Sequence, residues 1–168
     1  MRFANFVPYA MKTSVIRITS YENKIIRGVL SNPFYDTDIE FNGMFPLVLL
    51  LENLQDELNY PQRSMDARSF SGDGKLPELI ETPAGEITGN ILATFQISVY
   101  FRQNASWQGS IVWAERKQSA NFRSVLELMM LMDSALSGGE HQENEPPDSS
   151  GTSQKSGQKG ISFCEKDD

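Results

Sequence analysis

The chain has 168 residues with 15 Lys and Arg against 22 Asp and Glu, a net charge of −7, and 39% hydrophobic residues. This composition fits one globular domain of ordinary size rather than a disordered chain. The longest apolar run, Phe45 to Leu51, has seven residues including Pro46, far short of the ~20 that a membrane-spanning helix needs.

Residues 1–12 read as an N-terminal arm. The opening Met1-Arg2-Phe3-Ala4-Asn5-Phe6 lacks the apolar stretch of a secretory signal, so a cytoplasmic protein is expected. From Ser14 to Tyr21 the chain alternates, with Ile16 and Ile18 on one face and Val15, Arg17, Thr19 and Tyr21 on the other, the period of a half-buried strand. Glu22-Asn23 turns the chain and Lys24 to Leu30 returns as a second strand, predicting a hairpin. Asp36-Thr37-Asp38-Ile39-Glu40 reads as an acidic connection. Met44 to Leu58 then reads as a helix, with Pro46 tolerated in its first turn, where the missing N–H has no partner to lose.

Residues 60–90 form a long connection with three prolines and four glycines and no sustained period, and connections of this length tend to be functional or disordered. A second hairpin follows. Phe95, Ile97, Val99 and Phe101 share one face, Gln96, Ser98, Tyr100 and Arg102 the other, and Trp107, Gly109, Ile111 and Trp113 alternate on the return. Val125, Leu128, Met129, Met132, Ala135 and Leu136 follow helical spacing up to Ser137-Gly138-Gly139. Residues 137–168 read as a disordered acidic tail, whose seven acids and three lysines account for −4 of the net charge.

The two hairpin-helix units repeat without a gap at an offset of 81. Ile16 falls on Ile97, Asn23 on Asn104, Gly28 on Gly109, Phe41 on Phe122, Leu47 on Leu128 and Leu50 on Leu131. The expectation is an α+β fold: one domain over residues 13–136, with halves at about 13–58 and 94–136. Each half is a β-β-α unit, and together they make one four-stranded antiparallel sheet with two helices on one face.

The chemistry is mostly negative. The sole histidine, His141, and the sole cysteine, Cys164, lie in the tail, so residues 1–136 contain no residue for a Ser-His-Asp or Cys-His site or for a His/Cys zinc site. Asp36, Asp38 and Glu40 could hold a hard cation, but Phe41 and Leu47 stand where an EF-hand loop needs Gly and Glu. No catalytic residue, metal site or cofactor is assigned, and a carboxylate- or metal-dependent enzyme is the weakest of three readings. The leading one is a non-catalytic binding protein, an adaptor, regulator or inhibitor acting on a protein partner. Leu126, Met130 and Leu131 are its contact residues and homodimerisation is an option, because both helices carry more apolar surface than one buried stripe requires. The alternative is single-stranded nucleic-acid binding, with Arg17, Tyr21, Tyr100 and Arg102 on one sheet face as stacking and phosphate-holding groups.

Overall fold

The computed structural model describes residues 7–70, 72–85, 89–104 and 106–138. The expected tail from 139 onward, with His141 and Cys164, and the first half of the N-terminal arm lie outside the described residues. After a 3₁₀ turn at Tyr9–Lys12 come β1 (Thr13–Glu22), β2 (Ile25–Ser31), β3 (Ile39–Asn42) and α1 (Met44–Glu57). Then follow β4 (Thr82–Pro83), β5 (Ala93–Gln103), β6 (Ser106–Trp113), β7 (Gln118–Phe122) and α2 (Val125–Ser137). The fold is α+β.

The four-stranded sheet expected from two β-β-α units is overturned. The sheet has seven strands in the order β4-β3-β2-β1-β5-β6-β7, every pair antiparallel. Each half is β-β-β-α, since a short third strand precedes each helix, and the connection contributes β4 besides. These additions are hard to read from sequence: β3 is four residues long, β7 (Gln-Ser-Ala-Asn-Phe) has no β-branched residue, and β4 contains a proline tolerable only at an edge.

The offset of 81 runs through the whole register. Ile16 pairs with Leu30 and Ile97 with Ile111; Ile18 pairs with Gly28 and Val99 with Gly109; Gly28 pairs with Phe41 and Gly109 with Phe122. At the centre, β1 pairs with β5 so that Ile16 faces Phe95 while Ser14 faces Ile97. Val15 faces Gln96, its own counterpart in the repeat, which locates a pseudo-two-fold axis between these two residues. Asn23 and Asn104 both take left-handed backbone at the hairpin tips, with φ of 51° and 54°, a conformation Asn accepts more readily than most residues.

Both helices cover the same face. Leu47, Leu50 and Leu51 of α1 and Leu128, Met132 and Leu136 of α2 bury against Ile16, Ile18, Leu30, Phe41, Phe95, Ile97, Ile111 and Phe122 in a single core. Among the described residues no helix covers the opposite face, which carries exposed Gln96, Tyr100, Gln108 and Asn121, the wet side usual for an antiparallel sheet. Among the described residues no helix is long and apolar enough to cross a membrane.

Gly28 and Gly109 occupy the tightest matched positions. A Cβ on Gly28 would lie 2.1 Å from the carbonyl oxygen of Arg17, and one on Gly109 2.0 Å from that of Ser98, with the Phe122 ring 2.8 Å away. Gly109→Ala is therefore expected to cost about 1–3 kcal/mol as an overpacking change. It would be read as a lower urea midpoint with unchanged slope, and Gly28→Ala should match it.

Candidate interaction surface

Each central strand carries a β-bulge at the same place, after Ile18 in β1 and after Val99 in β5. A bulge adds one residue and so switches which face the following side chains occupy. Strict alternation put Tyr21 and Arg102 on the open face with Arg17 and Tyr100. That grouping is corrected: the bulges turn Tyr21 and Arg102 to the helix face.

There they make matched locks on the helix of the opposite half. Arg102 of β5 donates from Nη1 to Asp56 Oδ1 of α1 at 2.6 Å and lies 3.2 Å from Glu52 Oε1. The Tyr21 hydroxyl of β1 donates to Asp133 of α2 and lies 3.2 Å from Ser137 Oγ. Glu52 and Asp133 correspond at the offset of 81, as do Asp56 and Ser137. Lys24 completes the second lock, donating to Asp133 Oδ1 at 2.9 Å and to Ser137 Oγ at 3.0 Å. Hydrogen bonds from Tyr21 and Lys24 hold the Asp133 carboxyl below its ordinary value, and contact with Tyr21 first and Asp133 second raises Lys24.

The first lock is buried, with Arg102 4% exposed, because the connection after α1 closes over it. Arg102 Nε donates to the Pro61 carbonyl at 2.6 Å, and the Ser64 N–H donates to the Arg102 carbonyl at 3.1 Å. Arg63 reaches back to Asp56 and to Glu52 Oε1 at 3.4 Å, and Trp107 Nε1 donates to Glu52 Oε2 at 2.6 Å. Two guanidinium groups thus face two carboxylates, so the charges of the cluster balance. Further on, the connection lines a cleft of about 350 Å³ with Met65, Ala67 and Leu76 opposite Val48 and Leu49 of α1. It finally pairs β4 with the outer edge of β3.

The second half has no such cover among the described residues, and the two helices differ accordingly. Leu47 and Leu128 are both buried, as are Leu51 and Met132, while Phe45 and Leu126 are both exposed. At the next matched position Leu49 is 6% exposed and Met130 64%. Leu126 and Met130 therefore stand on the solvent side of α2. Leu131 is only partly buried and lines a groove of about 490 Å³ between α2 and β7, with Trp113, Ala120 and Ala135.

On the open face, Arg17 is tied to Asp38 and donates to Ser31 Oγ at 2.7 Å. Tyr100 shares a 2.7 Å hydrogen bond with Ser110 Oγ. Phe101, placed on the inward face by simple alternation, stands exposed beside it because the bulge sets two consecutive side chains outward. Of the acidic trio, Asp38 is engaged by Arg17, and among the described residues no three His, Cys, Asp or Glu side chains converge as a metal site. A cleft of about 780 Å³ beside β2, β3 and Leu79 to Thr82 is lined by one carboxylate, Glu40, and one guanidinium, Arg27. Sequence reasoning missed the Arg102–Arg63–Glu52–Asp56 cluster, because no short-range signal marks a bulge in a run that alternates throughout. No family model matches the chain, and neither a curated protein nor a solved structure is found to be similar to it.

Two outcomes follow from the locks. Arg102→Met leaves the Pro61 carbonyl without its donor while Arg63 stays on Glu52 and Asp56, so it should cost about 1–3 kcal/mol of urea stability, whereas Lys24→Ala at the exposed lock should shift the urea midpoint far less. Asp133 has a depressed folded-state pKa, so its contribution is present above its ordinary value of 3.8 and is lost as pH falls through the lower folded value. The stability gap between wild type and Tyr21→Phe should therefore be constant near neutrality and close below that pH, as urea titrations at stepped pH would show.

Proposed function

We propose that this is a non-catalytic, cytoplasmic binding protein that acts on a protein partner through the outer face of α2, with Leu126 and Met130 as its contacts. The supporting observation is the contrast between Leu49, 6% exposed in the cleft beside the connection, and Met130, 64% exposed at the matching position of α2. Methionine suits such a face, since its flexible, polarizable side chain adapts to a partner's contour. The lack of His and Cys across residues 1–136 fits binding better than acid-base or nucleophilic chemistry.

Paired baits in the native host test this reading. Met130→Asp introduces a charge at an exposed site, so its melting temperature should stay near that of wild type, yet a specific prey should be lost from it. The same prey should remain on Phe45→Asp, the exposed counterpart on α1. Equal recovery by all three baits would sink the proposal.

A second reading, single-stranded nucleic-acid binding, is favoured by one observation: Tyr100 and Phe101 stand side by side on a face that no helix of the described residues covers. Its contact set becomes Arg17, Tyr100 and Phe101, without Tyr21 and Arg102. Stacking predicts a loss of about 1–3 kcal/mol in affinity for oligo-dT per aromatic replaced by Ala. Absence of binding by wild type at low salt disposes of it.

A further inference from the structure

We propose that the outer edge of β7 pairs with β7 of a second copy of this chain. A two-fold axis would pass through Ala120, giving one continuous sheet with the two α2 helices flanking the junction. This surface is separate from the outer face of α2, and the inference stands without that reading.

The chain itself shows how such an edge is closed. The matching edge in the first half, on β3, is capped by β4: Ile39 pairs with Pro83, Glu40 with Thr82, and the Ala84 N–H donates to the Asp38 carbonyl at 2.7 Å. The backbone of residues 38 and 40 therefore points outward, and the offset of 81 assigns the same role to Ser119 and Asn121 of β7. Leu79, just ahead of β4, packs against the core and lines one cleft with Leu50. Leu131, the counterpart of Leu50, instead lines the groove beside β7. Among the described residues no strand pairs with the outer side of β7.

Natural edge strands are protected by short length, charge, proline or a bulge, or by cover, and β7, five residues long, has only the first of these. Strand β7 has no charge and no proline, and its pairing with β6 is unbroken. A copy of the same strand fits it. About an axis through Ala120, Ser119 of one chain faces Asn121 of the other, and the outward groups of both exchange four backbone hydrogen bonds. The small Ala120 side chains meet at the close, non-hydrogen-bonded position. Lys117 arrives opposite Arg123 of the other chain, whose charge Glu127 already neutralises at 2.8 Å. Residues 139–168 of the same chain suit the site less well. They hold seven acids, three lysines and, beyond prolines, only Ile161, Phe163 and Cys164 as apolar groups, and β7 offers no charge to attract them.

Light scattering coupled to size exclusion, on the full chain over a hundredfold concentration range, tests this. Wild type is expected at twice 18.9 kDa. Ser119→Pro removes an outward N–H and leaves the β6 ladder whole, so it should run at the monomer mass with an unchanged circular dichroism spectrum. Ser119→Lys, which puts a charge of the kind that blocks edge pairing on an exposed position of β7 itself, should also be monomeric, and it decides the matter if Ser119→Pro misfolds. Monomeric wild type at every concentration, or a dimer that survives Ser119→Lys, overturns the proposal. So does monomeric wild type whose Ser119 and Asn121 amides are protected from hydrogen exchange until Phe163→Asp is introduced, which would show the chain's own segment on that edge. Loss of prey from Met130→Asp in a monomeric protein would still support the α2 reading, so the two can fail separately.

Discussion

The structure depends on the central pairing of β1 with β5 and on the bulge that each strand makes just beyond it. The pairing joins two halves about an axis at Val15 and Gln96. The bulges then convert a strand end that would point to solvent into one that points at a helix, and at the helix belonging to the other half. Without them Tyr21 and Arg102 would stand on the open face, and each half would hold only its own helix. With them, each helix is fixed by its own third strand at one end and by the opposite hairpin at the other. The two-fold arrangement is thus locked by polar contacts as well as by the shared apolar core.

The halves share geometry but not surroundings. One connection of some two dozen residues follows α1, seals Leu49, completes the charge cluster around Arg102 and ends by capping β3. Nothing described does the same for α2 and β7. Pseudo-symmetry makes this contrast informative, because the first half acts as an internal control for the second. Leu126 is matched by an equally exposed Phe45 and distinguishes nothing by itself, whereas Met130 and the β7 edge depart from counterparts that are covered.

The sequence carried the repeat because its matched residues are those with sharp physical demands. Gly28 and Gly109 leave no room for a Cβ, Asn23 and Asn104 accept left-handed backbone, and the leucines of the two helices face one core. The third strands were illegible for the opposite reason. Ile39-Glu40-Phe41-Asn42 is too short to establish a period, and β7 takes its strand character from pairing with β6 rather than from its own residues. The bulges were invisible because a period-2 pattern survives a one-residue slip when residues on both sides are mixed, as Thr19-Ser20-Tyr21 and Tyr100-Phe101-Arg102 are. Half of the proposed Arg and Tyr face was lost to that slip.

The two locks also differ in a way that bears on why one helix can stand uncovered. An arginine at the end of β5 is tolerable as a buried group only because Glu52 and Asp56 face it and because the connection brings the Pro61 carbonyl to its Nε and Arg63 to balance the acids. Cover and cation thus form one hydrogen-bonded unit. At the matched place on β1, tyrosine offers a hydroxyl that is satisfied by Asp133 and Ser137, while Lys24 joins from solvent. That arrangement desolvates no cation and needs no roof. The second half can therefore keep its helix fixed while, among the described residues, nothing covers the outer face of α2 or the edge of β7. A partner docking there would meet a surface already folded and would not bear the entropy of ordering it.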